Sequence, residues 1–312
     1  GTAAGKGRTT GRPPPNNRAT YPVFSFDLLA NALVAGVLLG GFYAAVSLGL
    51  TVAFGQLDIV NIAHPAFVIL GSYIAYMCNS LWGFDPILVG LLATPVFYFI
   101  GVGVYRIYYE SFERKGDEAL RGLAFFFGVM FIIEVGLIIA YGVDFRSVQA
   151  PYIGQNWEIG TIGIPTRMFV PFCVSIVMFL AVYLYMSRTF NGRAIMAVAQ
   201  DRLALQLMGA DPVKIKQLGF GIGIGTTALA GALLIIIIPV EPSVGRLYIG
   251  QVFAIAVLAG LGSIPGTLIA AIILGIAESL VSTFYGPSWA PAVAFGILLL
   301  ALAFRPQGLF GR

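Results

Sequence analysis

The stretch Gly122-Leu-Ala-Phe-Phe-Phe-Gly-Val-Met-Phe-Ile-Ile-Glu-Val-Gly-Leu-Ile-Ile-Ala-Tyr-Gly142 decides the class of fold. It carries a single charged residue, Glu134, in a run of 21 residues. A helix that crosses the hydrocarbon core of a bilayer needs about 20 mostly apolar residues, so this run is long enough to cross once. It predicts an α-helix whose solvent is lipid.

The rest of the chain has the same character. Hydrophobic residues make up 58% of the 312 residues and charged residues 10%, whereas soluble domains are usually about 25% charged. A soluble fold of this length could not cover so much apolar surface. A membrane β-barrel is also excluded, because its strands would alternate in polarity over about ten residues.

The apolar runs predict an all-α, polytopic integral membrane bundle of eight or nine spans, some of them broken or re-entrant. We place the spans at 28–54, 66–82, 86–105, 122–142, 168–187, 217–239, 250–262, 266–285 and 289–304. Residues 25–312 then form the membrane domain. Residues 1–24 are basic and rich in Pro and Gly, and we expect them to be disordered because they cannot bury enough apolar surface.

The charges of the loops predict the orientation of the bundle. Residues 187–216 hold five Lys or Arg side chains against two Asp, and such loops stay on the cytoplasmic side. Counting outward, the C-terminus is cytoplasmic, while 142–167 and 241–250 lie outside. A single first span leaves the basic N-terminus outside, against this rule. A second pass or a re-entrant turn between residues 28 and 65 would bring it inside, and both alternatives stay open.

Two polar interruptions predict discontinuous helices. The first is Phe54-Gly-Gln-Leu-Asp-Ile-Val-Asn-Ile-Ala-His-Pro65, and the second is Leu258-Ala-Gly-Leu-Gly-Ser-Ile-Pro-Gly266. Irregular backbone at membrane depth is tolerated where protein buries it or a watery cavity receives it, and in transporters it marks the substrate path. The candidate path residues are Asp58, Asn61, His64, Pro65, Gly260, Gly262, Ser263, Pro265, Gly266 and Glu278.

The first interruption also has a simpler interpretation. Residues 58–65 can form a turn at the inner surface in which Asn61 or His64 caps the following helix. We keep this interpretation beside the path. A metal site at His64 is disfavoured, since the sequence has no second histidine.

Two acids, Glu134 and Glu278, fall within predicted spans. Intramembrane acids are costly and normally face the bundle interior or a cavity. Because no Lys, Arg or His lies in the same spans, a neutral or hydrogen-bonded structural role is favoured over proton transfer.

The stretch Asn191-Gly-Arg-Ala-Ile-Met-Ala-Val-Ala-Gln-Asp-Arg-Leu-Ala-Leu-Gln-Leu-Met-Gly-Ala-Asp211 lies in the predicted cytoplasmic loop. Residues 194–208 are helix formers with one polar face, and Gly209 is well placed to end the helix. The pattern predicts one amphipathic helix held between two spans, where it would dock a cytoplasmic partner.

Three collinear segments now resemble the permease subunits of ABC importers for branched-chain amino acids. They are residues 31–65 with the turn Asn61-Ile-Ala-His64, residues 192–211, and residues 256–310 with Leu261-Gly-Ser-Ile-Pro-Gly266 and Arg305-Pro-Gln-Gly-Leu-Phe310. Two positions depart from the family pattern. Leu203-Ala204-Leu205 stands where the wider importer pattern has Glu-Ala-Ala, and Pro65 stands where the family usually has glycine.

The resemblance implies a mechanism for the chain and a set of partner subunits. The segment at about 192–211 would be the coupling helix that contacts the ATPase. The coupling residues carried over are Gly192, Arg193, Asp201, Ala204, Gly209 and Asp211. The implied partners in a bacterial inner membrane are two ABC ATPase subunits that bind ATP and Mg, a second permease (a copy or a paralogue) and an external solute-binding protein; no nucleic acid is implied.

The chain itself shows no ATP-binding loop. Gly1-Thr-Ala-Ala-Gly-Lys-Gly7 has the wrong spacing for a phosphate loop and lacks the hydroxyl after the lysine. We therefore expect a transport subunit without its own enzymatic site or cofactor. The alternatives are an ion-coupled secondary transporter that uses Glu134 or Glu278, an ABC permease for urea or amides, and more distantly a channel. The sequence does not record which solute is carried.

Overall fold

A computed structural model of the chain describes residues 25–116, 118–305 and 307–311. The predicted basic tail, residues 1–24, lies outside them. The helices are α1 (Phe26–Leu50, continued by a π-helical segment Thr51–Gln56), α2 (His64–Trp82), α3 (Pro86–Ser111), α4 (Glu118–Tyr141), α5 (Thr166–Arg188), α6 (Phe190–Ala197), α7 (Arg202–Leu207), α8 (Pro212–Ile237), α9 (Gly245–Ala259), α10 (Ile264–Phe284) and α11 (Ala290–Phe304).

The predicted helical membrane bundle is confirmed. Within the described residues, eight helices are long and apolar enough to cross a membrane. α2 falls outside this set because its 19 residues include His64, Ser72 and Asn79. A small antiparallel hairpin, β1 (Asn156–Ile159) and β2 (Ile162–Pro165), marks one end of the bundle, which we call the hairpin end. The opposite end carries α6 and α7 and is called the α6–α7 end.

α1 crosses the bundle once. Near its start the Asn31 amide contacts the hairpin, donating to the Thr161 carbonyl at 3.0 Å and accepting from the Gly163 N–H at 2.9 Å. Its far end, at Gly55 and Gln56, lies against Gly262 at the opposite end. No second pass occurs between residues 28 and 65, so the described chain begins at the hairpin end.

α8 is the central helix of the bundle. In its most apolar stretch of 18 residues, 94% are buried. α1, α2, α3 and α5 all pack against it. Glycines allow this close approach: a β-carbon at Gly231 would overlap the Val68 carbonyl oxygen of α2. Small residues are a common way to join membrane helices, because lipid gives apolar faces no reason to associate.

The structure places α8 and α9 earlier in the chain than predicted, with α8 at Pro212–Ile237 rather than residues 217–239. α9 covers Gly245–Ala259 rather than residues 250–262. The helix ends early because Gly260 and Gly262 have φ of 89° and 87°, a region that right-handed helices do not use. Its first residues, 245–249, are helical although they were predicted to belong to an outer loop.

Candidate functional site

The first break, residues 57–63, leads from the α6–α7 end into the interior of the bundle. Asn61 is fully buried, and its Oδ1 accepts the Ala63 N–H at 3.0 Å while its carbonyl accepts the His64 N–H at 3.4 Å. Asn61 therefore closes a turn that precedes α2, whose N-cap residue is Ala63. The predicted turn is present, but neither Asn61 nor His64 is the capping residue. The predicted surface location of that turn is wrong for Asn61, although Asp58 in the same break is exposed with φ 59°.

His64 fixes the depth at which α2 begins. Its Nε2 lies 2.8 Å from the Val46 carbonyl oxygen, so Nε2 carries the proton and donates. A β-carbon at Gly49 would lie 2.5 Å from the His64 ring. Val46 and Gly49 belong to the interior of α1, well before its end at Gln56. α2 therefore starts beside the interior of α1, and the His64 Nδ1 has no hydrogen-bond partner among the described residues.

A third discontinuity, missed by the sequence reasoning, meets the first one. α9 begins at Gly245, where a β-carbon would lie 3.3 Å from the Pro65 carbonyl oxygen. The N-termini of α2 and α9 thus lie together within the bundle. Each contributes the partial positive charge of a helix N-terminus. The available signal was Pro239 and Pro242 around Glu241, since prolines favour the first turn of a helix.

The second break, residues 260–263, is confirmed. Gly260 and Gly262 end α9, and the Ser263 Oγ then accepts the Gly266 N–H at 3.2 Å to cap α10. Pro265 lies in the first turn of α10, where its missing N–H would have no helical partner anyway.

The two predicted breaks meet at the α6–α7 end. The Gln56 amide donates to the Gly262 carbonyl. A cavity of about 690 Å³ opens beside this contact. Its lining comes from the breaks, from the α6–α7 connection and from the C-terminal residues: Gly55, Gln56, Met196, Ala199, Gln200, Leu261, Gly262, Ser263, Pro265, Phe310 and Gly311.

The C-terminal motif caps α9, a role that the sequence did not indicate. The Leu309 N–H donates to the Leu258 carbonyl at 2.8 Å, and the Phe310 N–H donates to the Ala259 carbonyl at 3.2 Å. The last carbonyls of a helix lack partners within the helix, so residues 309–310 supply them. Gly308, with φ 76°, permits this approach, since a β-carbon there would overlap the Gly260 nitrogen.

The two acids have different partners. Glu134 is buried and forms an ion pair with Arg246 of α9, with Nε donating at 2.9 Å and Nη2 making a second bond. Glu134 therefore has a hydrogen-bonded structural role, one of the two roles predicted for it, but its partner is a cation from another helix, which the sequence reasoning missed. Glu278 accepts a hydrogen bond from the Tyr43 hydroxyl at 2.5 Å, as the hydrogen-bonded interpretation predicts. Its other oxygen has no partner among the described residues.

The predicted single amphipathic helix over residues 194–208 is wrong: it is two short helices, α6 and α7. The Asp201 carboxylate accepts the Ala204 N–H at 2.8 Å, and an aspartate in this capping position starts a new helix. Gly209, with φ 78°, ends α7 as predicted. Asp211 caps α8 by accepting the Val213 N–H at 3.0 Å.

The other carried-over residues divide into buried and exposed. Gly192 packs against α5, where a β-carbon would overlap the Tyr185 carbonyl oxygen. Arg193 and Ala204 are exposed. The sequence reasoning missed an exposed apolar patch on α7 and after it, formed by Leu203, Leu207 and Met208, whose exposed fractions are 66%, 82% and 75%.

α6 connects this patch to the first break. Ile195 is fully buried, and a β-carbon at Gly219 of α8 would lie 3.1 Å from both the Ile195 and the Leu57 side chains. Leu57 is the first residue of the first break. Ile195 of α6 and Leu57 of the first break therefore lie beside the same glycine of α8.

Residues 32–302 match the family described as branched-chain amino acid transport system, permease component. The chain belongs to this permease family. It is 30% identical over 295 residues to the high-affinity branched-chain amino acid transport system permease protein BraD of Pseudomonas aeruginosa, covering 90% of this chain and 95% of BraD. It is 30% identical over 288 residues to LivH of Escherichia coli K12, covering 89% and 94%.

A second relative from the same organism is more distant. The permease is 24% identical over 291 residues to LivM of Escherichia coli K12, covering 86% of this chain and 67% of LivM. No solved structure matches it. Membership in the family confirms the resemblance given by the three motifs and identifies the chain as a multi-pass component of a transport system.

Proposed function

We propose that this permease forms half of the membrane pathway of an ABC importer for branched-chain or related small amino acids. Two separate ATPase subunits would bind ATP and Mg, and a solute-binding protein would deliver substrate from outside. The similarity to both LivH and LivM favours a second, paralogous permease as the other half. The α6–α7 end would then face the cytoplasm of a bacterial inner membrane, together with the C-terminus.

The position of Ile195 and Leu57 beside the same glycine, Gly219, carries the proposal. It joins the α6–α7 segment to a break in a membrane helix. An ATPase that binds the exposed apolar patch at Leu203 and Leu207 would move α6, and the first break would move with it. The helices of this chain would move as rigid bodies between two states, and ATP hydrolysis on the ATPase subunits would drive the movement.

The path would follow the first break. Asp58 and Val60 are exposed there, while the same segment leads to the buried Asn61 and His64. Irregular backbone at this depth is stable when it lines a water-filled cavity. The convergent N-termini of α2 and α9 would give the path a positive potential, which suits the carboxylate of an amino acid.

The test is uptake of labelled leucine by the complete complex reconstituted in vesicles with its solute-binding protein. We expect uptake with ATP inside and none on a proton or sodium gradient alone. Leu207→Gln should reduce binding of the ATPase subunits and uptake by about tenfold. Leu120→Gln is the matched control, because Leu120 is equally exposed at 81% but lies on α4.

Gradient-driven accumulation by the permease without ATPase subunits would contradict the proposal. ATP-driven uptake of urea or an amide in place of leucine would support the ABC mechanism but contradict the proposed substrate class.

A further inference from the structure

A buried ion pair lies at the α6–α7 end, outside the breaks. The Lys216 Nζ is 2.6 Å from the Glu113 Oε1, and the two side chains are 3% and 6% exposed. The Tyr105 hydroxyl donates to the other Glu113 oxygen at 3.0 Å. We call Tyr105, Glu113 and Lys216 the ion-pair cluster.

The cluster joins two parts of the chain that are far apart in sequence. Tyr105 belongs to α3, and Glu113 begins the 3₁₀ turn Glu113–Lys115 that follows it. Lys216 lies in the second turn of α8. α3 and α8 are also in close contact through the ring of Tyr105, which lies 5.9 Å from the Phe220 ring. The ion pair extends this contact to the end of α3.

The first turn of α8, next to the turn that holds Lys216, is attached to α7 by a short, hydrogen-bonded connection. The Ala210 N–H donates to the Leu205 carbonyl at 3.2 Å, and Asp211 caps α8. A polar cavity of about 250 Å³ separates Gln206 of α7 from Glu113 and Lys216. α7 is therefore joined to α8 by the backbone connection, and α8 is joined to the turn after α3 by the ion pair.

Stability alone does not account for such a pair. Two charges removed from water lose much of their mutual attraction to desolvation, and apolar residues of the same size often serve stability equally well. A charged group that makes two hydrogen bonds holds its partners in a defined geometry. The cluster specifies how the end of α3 is placed relative to α8.

We propose that the ion-pair cluster transmits movement of the α6–α7 segment to α3, so that α3 and α8 move as one body during transport. The inference rests on the proposed function, because it requires an ATPase that moves α6 and α7. Its role is in positioning: the cluster sets the coupling between ATP hydrolysis and transport, and it touches neither substrate nor nucleotide.

The test uses the reconstituted complex and the number of leucine molecules taken up per ATP hydrolysed. The double variant Glu113→Gln/Lys216→Met removes both charges without leaving one buried alone. We expect it to assemble and to hydrolyse ATP within twofold of the wild-type rate, while uptake per ATP falls at least tenfold. The charge-reversed variant Glu113→Lys/Lys216→Glu should recover at least half of the wild-type ratio, and Tyr105→Phe should lower the ratio several-fold.

The matched control is another ion pair on the same stretch of α3. Arg106 and Glu110 are 3.1 Å apart, but their side chains are 73% and 58% exposed, so Arg106→Met/Glu110→Gln should leave the ratio unchanged. A wild-type ratio in the double variant would overturn the inference. So would parallel losses of hydrolysis, uptake and thermal stability, which indicate a structural role only. If the wild-type complex neither binds ATPase subunits nor takes up leucine with ATP, the proposed function itself fails.

Discussion

Gly55 and Gly262 pack backbone against backbone, which brings the end of α1 to the break between α9 and α10. A β-carbon at Gly55 would overlap the Gly262 nitrogen, and one at Gly262 would lie 2.8 Å from the Gly55 carbonyl oxygen. The contact joins residues about 200 positions apart in sequence. It makes the two predicted breaks one structural unit.

Substitution of either glycine should separate the breaks. Gly262→Ala places a side chain at φ 87° and should cost about 1–3 kcal/mol, and Gly55→Ala should cost a similar amount through overlap. Thermal unfolding in detergent measures the loss. Gly128→Ala is the control, because a β-carbon there meets nothing within 4 Å; equal losses at all three positions would contradict the prediction.

Asp201 should act as a helix cap. Asp201→Ala removes the acceptor for the Ala204 N–H and should destabilise α7 by about 1 kcal/mol, lowering ATPase binding and uptake. Asp201→Asn keeps an acceptor oxygen and should retain most of the activity. If asparagine is as harmful as alanine, the negative charge of Asp201 acts through a contact other than the cap.

The Glu134–Arg246 pair should respond unequally to loss of its two members. Glu134 is 5% exposed and Arg246 is 57% exposed, so Arg246→Met leaves a buried carboxylate alone and should cost up to about 3–5 kcal/mol. Glu134→Gln leaves an arginine that water can reach and should cost less. The double variant should recover part of the loss in thermal unfolding; strictly additive losses would show that the pair does not act as a unit.

Glu278 should be dispensable as a proton carrier. Glu278→Gln keeps an acceptor for the Tyr43 hydroxyl, so ATP-driven leucine uptake should stay within about twofold of wild type, a change worth less than 1 kcal/mol. Tyr43→Phe leaves both carboxyl oxygens without this donor and should be more harmful. Loss of uptake in Glu278→Gln that depends on an imposed proton gradient would support the ion-coupled alternative.

The C-terminal motif should stabilise the end of α9. Gly308→Ala places a β-carbon on the Gly260 nitrogen at φ 76° and should cost about 1–3 kcal/mol. Gly296→Ala on α11, where a β-carbon meets nothing within 4 Å, is the control in the same unfolding measurement. No difference between the two variants would mean that residues 307–311 do not cap α9.

Several features of the site were predictable because their causes are local. Ser263 and Pro265 mark the start of α10 through capping and proline geometry alone, and Gly209 ends α7 for the same kind of reason. The sequence pattern around Asp201 predicts one continuous helix. Helix-forming residues stand on both sides of Asp201, so the sequence does not distinguish one continuous helix from two helices with Asp201 as the cap of the second. The backbone geometry does distinguish them.

The sequence by itself determined that lipid surrounds the chain, where most spans lie and where two of them break, because span length and capping depend on neighbouring residues. Tertiary structure decided which cation meets Glu134, which hydroxyl meets Glu278 and how the breaks come together. Arg246 is 112 residues from Glu134, and Tyr43 is 235 from Glu278. Such pairs follow from the packing of whole helices, which no local pattern encodes.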